Sequence, residues 1–433
     1  MHFLRRFMQA LLCAPAFGLG VPLAAHAQPA PTLSVEEAVA LATTRAGNGE
    51  TSPGSVEAAA QMAVAAGQLP DPVLKLGFNN VPVNGPDQFS LTRDFMTMRS
   101  ISVMQEFTRS DKRRARAERF EAEAAAAQAR RTVSLANVQR SVVTAWLDRW
   151  YAEQASMLLG HHGHPLELEL QAAKAAYRSG RGTRADVLAA EMEIQKLQDR
   201  LDENQAAIDA AQVALVRWVG QAASRPLSER PTLAIPPRVQ ELAGSELDAV
   251  PEMVASQREI ALAEADVRAA TEARKPDVTV ELMYSQRGSA YSNMGSLNVS
   301  FPVPWDRGNR QDREVSAKLA QAQEARARSE IVARNTKAAL GAKLAELRRN
   351  LERLKRYDES ILPLANAQAD AALTAYRANT GSLLAVAEAN HRVIDTALDR
   401  LTLEAKTARG WAELAFLVPL PTAQTEPAAR DSK

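Results

Sequence analysis

The 433-residue chain carries 52 Lys and Arg residues against 51 Asp and Glu residues, and this balance indicates no nucleic-acid partner. Its only cysteine is Cys13, so the residues that follow can form neither a disulfide bond nor a thiolate metal site. The sequence shows no Ser/His/Asp set, carboxylate pair or glycine-rich phosphate loop. We therefore expect a protein that is not an enzyme and that needs no cofactor.

Residues 1–27 predict a secretory signal peptide. Arg5 and Arg6 precede an apolar run at 7–23, which is followed by the small residues of a cleavage site ending at Ala27. A membrane anchor is the alternative, but the run is shorter than the ~20 apolar residues of a spanning helix. Cleavage would leave 50 basic and 51 acidic residues in an exported chain.

The first half continues with two predicted strands, at about 72–107, and a long helix. Leu74, Leu76 and Phe78 alternate with polar or small residues, a period of two that indicates a strand with one apolar face. The polar stretch at 79–98 predicts an exposed loop between the strands. Residues 112–159 contain neither glycine nor proline and are rich in strong helix formers, which predicts a helix of roughly 70 Å.

A histidine cluster follows this rod. His161, His162 and His164 stand next to Pro165, which predicts a break in the helix. Imidazoles bind Zn²⁺, Cu²⁺ or Ni²⁺, so these three residues are candidate metal ligands. The alternatives are a patch that collects cations transiently and a polar kink exposed on the rod.

A tight turn then reverses the helix, and the returning arm runs over about 185–218. Gly180 and Gly182 permit the turn, with Arg181 and Arg184 beside them. Asp186 follows the turn and can cap the returning helix or pair with an arginine. The first long helical hairpin therefore covers about 110–220.

The second half repeats this order. Strands are predicted within 276–304, where Val278, Val280, Leu282 and Tyr284 alternate with polar residues, as do Leu297, Val299, Phe301 and Val303. A hairpin at about 310–418 follows, with a break expected at Pro363 and a tip at Asn379 and Gly381. Residues 421–433 predict a flexible tail.

The repetition divides the chain into two structural repeats, 28–230 and 231–420. The pair Pro70-Asp71 recurs as Pro276-Asp277, and Tyr177 recurs as Tyr376, 199 positions later. A period of this length is too long for a solenoid of 20 to 50 residues.

Four strands cannot close a membrane barrel, because the smallest known barrels have about eight. After residue 27 no stretch approaches ~18 uninterrupted apolar residues, so a membrane location would require a β-barrel. Three copies would supply 12 strands, and their long helices would form a second tube. The alternative is a four-stranded sheet in a soluble domain.

Several motifs carry a family resemblance over nearly all of the chain after residue 27. They are Leu69-Pro70-Asp71-Pro72 before the first strand, Tyr177 and Gly180 with Asp186-Val187 at the first tip, and Tyr376, Gly381 and Val386 in the second half. In these residues the chain resembles the TolC family of outer-membrane efflux proteins. The stretches 80–83, 93–98 and 103–107 look like the heavy-metal, CzcC/CusC-like branch.

The resemblance implies a mainly α fold with a small β part. Three chains would form a homotrimer with a 12-stranded β-barrel in outer-membrane lipid and a periplasmic α-barrel made by the duplicated hairpins. The duct would serve an inner-membrane RND pump through a periplasmic adaptor protein. The resemblance also implies that the tips contact the adaptor, through Gly180, Arg181, Gly182, Arg184, Asn379 and Gly381.

Carboxylates after the second tip line the periplasmic entrance in this family. The alignment on Tyr376 puts Ala385 at the first such position and Glu388 at the second, so Glu388 and Asp186 are the gate candidates. A solvated helix charge is the alternative for Glu388.

Three functions compete at this stage. The first is a duct that passively exports heavy-metal cations, the second is the same duct for drugs or type I secretion, and the third is a non-channel periplasmic coiled-coil adaptor. Two complete hairpins with two strand pairs argue against an adaptor, which normally has one hairpin.

Overall fold

A computed structural model describes residues 32–161, 163–244, 247–378 and 380–420. The predicted signal peptide, His162, Asn379 and the predicted tail lie outside these residues. Within the described part, the first half has α1 (Val35–Gly47), α2 (Gly54–Ala66), β1 (Val73–Asn79), β2 (Met98–Phe107), α3 (Ser110–His161), α4 (Gly163–Arg178) and α5 (Arg184–Val219). The second has α6 (Pro237–Gly244), α7 (Pro251–Ala273), β3 (Val278–Gln286), β4 (Met294–Ser300), α8 (Gln311–Arg356), α9 (Leu362–Arg377) and α10 (Leu383–Ala415).

The four strands form one antiparallel sheet in the order β1-β2-β3-β4. Its register aligns Leu76 with Ile101, Ile101 with Tyr284, and Leu282 with Leu297. Residues paired in this way share a face of the sheet, so the alternation predicted in each strand combines into one apolar face. That face is exposed in the single chain, as the exposed fractions of Leu76 (74%) and Leu297 (67%) show.

The last strand ends earlier than the sequence predicts. β4 stops at Ser300, which pairs with Thr279, whereas the alternation predicts a strand that includes Phe301 and Val303. Pro302 has no backbone N–H to donate to a ladder, and β3 itself begins at Val278. The segment after Ser300 is therefore unpaired, although its alternation continues.

Among the described residues, the break predicted at Pro363 does not occur. The first rod, α3, has 52 residues, and α4 has Pro165 in its first turn; His162, which separates these two elements in the chain, lies outside the described residues. The second rod, α8, continues through a π-helical turn at Tyr357–Ile361 directly into α9. Pro363 lies in the first turn of α9, where its missing N–H is least costly.

The core joins both halves of the chain near the middle of α3. Trp146 is fully buried, and its indole N–H donates to the Leu33 carbonyl at 3.0 Å. Buried residues of α1, α5 and α10, such as Leu215 and Ala408, belong to the same cluster. Buried Gln139 of α3 also exchanges two hydrogen bonds with the backbone of Leu420. Both hairpins are thus attached to one core, with their tips at a distance from it.

Among the described residues, no helix is both long enough and apolar enough to cross a membrane.

Candidate functional site at the hairpin tips

The first tip is a tight reversal between α4 and α5. Gly180 has φ +71°, a left-handed conformation that glycine adopts without steric cost. The backbone N–H groups of Arg181 and Gly182 both donate to the Ala176 carbonyl, at 2.9 and 3.1 Å. A Cβ atom at Gly182 would lie 3.0 Å from Ala176 Cβ, so the turn also leaves no room for a side chain there.

The second tip has the same geometry. The N–H groups of Thr380 and Gly381 donate to the Ala375 carbonyl at 2.9 and 3.0 Å, and a Cβ atom at Gly381 would lie 3.1 Å from Ala375 Cβ. Gly381 therefore corresponds to Gly182 in both hydrogen bonding and packing. Asn379, the counterpart of Gly180, lies outside the described residues.

The two returning helices begin with different caps. In α5, Thr183 Oγ1 accepts from the Asp186 N–H at 3.2 Å, and the Asp186 carboxylate accepts from the Thr183 N–H at 2.7 Å, which completes a capping box. In α10, Ser382 Oγ accepts from the Ala385 N–H at 3.1 Å. The alanine side chain has no acceptor for a reciprocal hydrogen bond from the Ser382 N–H. The hydrogen bonds from the Thr183 backbone and side chain lower the pKa of Asp186.

A groove of about 870 Å³ lies between the two tips, and we call it the inter-hairpin groove. Five of the residues that the sequence singled out line it: Arg181, Gly182, Asp186, Gly381 and Glu388. Arg184 instead borders a separate groove of about 550 Å³ that also contains Tyr177 and Glu191. The fold thus brings both gate candidates to one site, together with three of the predicted contact residues.

The inter-hairpin groove also contains two carboxylates and a histidine that are not among the predicted site residues, namely Glu169, Glu193 and His391. His391 Nε2 is 3.8 Å from Glu193 Oε2, which links α10 to α5. Burial raises the pKa of Glu169; the negative charge of Glu193 raises it further, whereas His391 acts in the opposite direction.

A helical period could have identified two of these residues. Glu193 follows Asp186 by seven positions and His391 follows Glu388 by three, spacings that place each pair on one helix face. Glu169 belongs to a third helix, so only the tertiary structure brings it to the groove.

Charge in the inter-hairpin groove is unbalanced. Four carboxylates line it, whereas Arg181 and Arg377 are its only fixed cations among the described lining residues. A further ion pair, Arg200 with Asp395 at 2.9 Å, connects the hairpins beyond the groove. The arrangement therefore attracts cations at neutral pH.

His161 and His164 do not line this groove. His161 is the last residue of α3, and His164 lies in the first turn of α4. Among the described residues, which exclude His162, no group of three or more His, Cys, Asp or Glu side chains has an arrangement that could hold a metal ion.

The fold has clear counterparts among solved structures. The outer-membrane protein VceC of Vibrio cholerae superposes with a TM-score of 0.69 at 17% identity, over 88% of this chain and 95% of VceC. The outer-membrane channel OprN gives 0.72 at 17% identity, over 89% of each chain. CusC, whose crystal structures address transmembrane channel formation, gives 0.70 at 14% identity, over 89% of this chain and 91% of CusC.

The chain has the TolC-like outer-membrane channel fold. The fold class implied by the sequence resemblance is thereby confirmed, with long paired helices and a small sheet. OprN is a channel rather than an enzyme, which is consistent with the expectation that this chain is not an enzyme. CusC does not stand out from the other channels in TM-score, so the likeness does not single out the heavy-metal branch.

No family model matches the sequence. No curated protein matches it either.

Proposed function

We propose that three copies of this chain form the outer-membrane duct of a tripartite efflux system. The observation that carries this proposal is the separation of two surfaces: an exposed apolar sheet face at one end of the rods and matched helical tips at the other. At 1.5 Å per residue, the 52-residue α3 alone extends about 78 Å. Such a chain can connect a membrane to a partner far below it.

The homotrimer follows from the sheet edges. Within the described residues, β1 and β4 each pair on one side only, which leaves both edges of the sheet open. Open edges promote pairing with another chain. Joining β4 of one copy to β1 of the next, three times, gives 12 strands, and the adjoining hairpins then surround a helical periplasmic tube.

The tips are the proposed contact with a periplasmic adaptor, which would connect the duct to an inner-membrane RND pump. Their glycines bring backbone close to the surface, and Arg181 adds an exposed cation at the rim of the inter-hairpin groove. The duct itself is passive and catalyses nothing.

Heavy-metal cations are the proposed cargo. The four carboxylates of the inter-hairpin groove support a cation pathway, since like-charged groups in a cleft raise the local concentration of the opposite ion. The same duct serving drugs or type I secretion is the alternative, because a duct need not bind what passes through it.

The assembly is tested with the mature protein in detergent. We expect a trimer by light scattering that migrates as a monomer only after heating, and stepwise conductance after reconstitution into planar bilayers. A monomer that stays soluble without detergent would contradict the duct and would favour the periplasmic adaptor function.

The cargo is tested by deleting the gene and comparing tolerance to Zn, Co, Cd, Ni, Cu and Ag with tolerance to common antibiotics. Reduced tolerance to one or more metals is the expected result. Loss of drug resistance with unchanged metal tolerance would reject the metal branch and would leave the duct itself intact.

A further inference from the structure

A pocket of about 270 Å³ lies where β4 leaves the sheet and α8 begins, far from the tips. One side is formed by the segment after β4, including Val303 and Trp305, and the other by cationic residues at the ends of α3, α7 and α8. We call it the junction pocket. One side of the pocket is apolar and the other carries cationic residues, so each side suits a different part of an amphipathic ligand.

The apolar side continues the exposed face of the sheet. Val299, Phe301, Val303 and Trp305 follow the same alternation and are 57%, 60%, 59% and 93% exposed. Pro302 and Pro304 have no backbone N–H, so this segment cannot continue the β-ladder. This apolar track therefore runs from the sheet to the junction pocket and ends at a tryptophan, a residue enriched where a membrane meets water.

The polar side is formed by charged residues. Lys112, Arg274, Lys275 and Arg310 line the pocket with the carboxylates Asp277 and Asp306. Three of the cations are paired: Lys112 with Asp277 at 2.6 Å, Arg274 with Asp312 at 3.0 Å and Lys275 with Glu272 at 2.5 Å.

Arg310 differs from these paired cations. Within the described part of the chain its guanidinium makes no hydrogen bond or ion pair, and the residue is exposed. A planar guanidinium without a partner suits the bidentate recognition of a phosphate group.

We propose that the junction pocket binds the phosphate headgroup of a membrane phospholipid, with Arg310 on the phosphate and an acyl chain along the track from Trp305 to Val299. The proposal rests on the function proposed above, which brings lipid to the apolar face. The apolar track favours a phospholipid over free phosphate, because free phosphate would leave that track in water.

The headgroup contact is tested by native mass spectrometry of the full mature trimer with added phosphatidylglycerol. We expect bound lipid on wild type and a roughly tenfold weaker apparent affinity for Arg310→Gln, because the variant loses the charged, bidentate contact with the phosphate. Arg328→Gln is the matched control. Arg328 is an exposed arginine of α8, 18 residues further along the helix, and pairs with Glu324.

Two further measurements separate the lipid from other ligands. Diacylglycerol, which lacks the phosphate, should bind at least tenfold more weakly than phosphatidylglycerol, and inorganic phosphate should not displace the lipid at equal concentration. Lipids brominated near the headgroup should quench wild-type tryptophan fluorescence. Trp305→Phe should remove most of this quenching, because the other four tryptophans lie in the core cluster or pack against it: Trp146, Trp150, Trp218 and Trp411.

Equal lipid retention by Arg310→Gln and Arg328→Gln, or binding of inorganic phosphate alone, would overturn the junction-pocket proposal. Conductance of the same wild-type preparation distinguishes failure of the junction-pocket proposal from failure of the proposed duct. Conducting trimers without bound lipid would reject only the pocket, whereas the absence of both trimers and conductance would reject the duct.

Discussion

One carboxylate distinguishes how the two returning helices begin. Asp186 completes a capping box with Thr183, whereas Ala385 leaves the corresponding Ser382 cap one-sided. The lowered pKa of Asp186 follows from the hydrogen bonds that it accepts from Thr183, so the cap is charged at every pH of physiological interest. The capping box therefore stabilises the start of α5 more than the single Ser382 cap stabilises the start of α10.

The cap difference predicts a pH dependence limited to one tip. The contribution of Asp186 is present above the ordinary aspartate pKa of 3.8 and is lost as the pH falls through its lowered value. Hydrogen exchange, corrected for intrinsic rates, should show α5 losing protection in its first turn only below that pH. Ala385→Asp should create the same transition at the start of α10. An unchanged exchange rate in that variant at neutral pH would contradict the capping argument.

Glu388 is an acidic residue that lines the inter-hairpin groove, at the proposed periplasmic entrance. Three copies would place three such carboxylates around one axis, so Glu388→Gln should reduce the preference for cations over anions. The measurement is the reversal potential in a KCl gradient across planar bilayers. Glu191→Gln serves as the control, because Glu191 borders the separate groove and pairs with Lys174. Identical potentials for wild type and Glu388→Gln would remove Glu388 from the mechanism.

The long rods are the elements that local sequence describes best. Their bounds agree with the runs of strong helix formers, because an unbroken backbone ladder needs only residues that do not interrupt it. The second rod departs from this local rule at Pro363. Proline predicts a break there, but a π-helical turn keeps the rod continuous. α8 and α9 both pack beside α10, and helix propensity alone does not specify these tertiary contacts.

Substitution by alanine should have opposite effects on protein stability at two glycines of the second hairpin. A Cβ atom at Gly341, on the exposed side of α8, meets no atom within 4 Å, so Gly341→Ala should stabilise the protein by about 0.5–1 kcal/mol. At Gly381 the added atom would crowd Ala375, and Gly381→Ala should destabilise by about 1–3 kcal/mol. Apparent melting temperatures should rise for the first variant and fall for the second. A rise for both would show that the tip turn relaxes freely.

At the scale of the whole molecule, the informative property is that no other described residue covers the apolar face of the sheet. Leu74, Leu282 and Leu297 share that face, and each is more than 60% exposed. The opposite face is polar, with Ser102 Oγ donating to Glu281 at 2.7 Å and Lys75 3.3 Å from the same carboxylate. In a water-soluble protein the exposed face of a sheet is usually polar. An exposed apolar face opposite a polar one is expected of a sheet that is surrounded by lipid.

The lipid-facing assignment predicts a contrast between neighbouring residues of β4. Leu297→Arg puts a charge on the apolar face and should cost about 2–4 kcal/mol near the bilayer midplane, whereas Asn298→Arg points to the polar face and should cost little. The folded fraction in lipid vesicles, read from heat-modifiable mobility on gels, measures the difference. Equal folded fractions would mean that the apolar face is not in lipid.

The tips show where sequence reasoning stopped. The repeated glycines and the Thr183–Asp186 cap are local, and the sequence identifies both turns from residues a few positions apart. His391 and Glu193 meet across nearly 200 positions of chain, and Glu169 joins them from a third helix. No spacing in the sequence relates the three, because their proximity depends on how the two hairpins lie against each other.

By itself, the sequence determined the elements: two strand pairs, two rods and two glycine turns, each specified by period, helix propensity or backbone freedom over short distances. Only the tertiary structure decided the end of β4, the continuous second rod, the acidic inter-hairpin groove and the junction pocket. These features come from contacts between residues far apart in the chain, and such contacts depend on packing that local patterns do not encode.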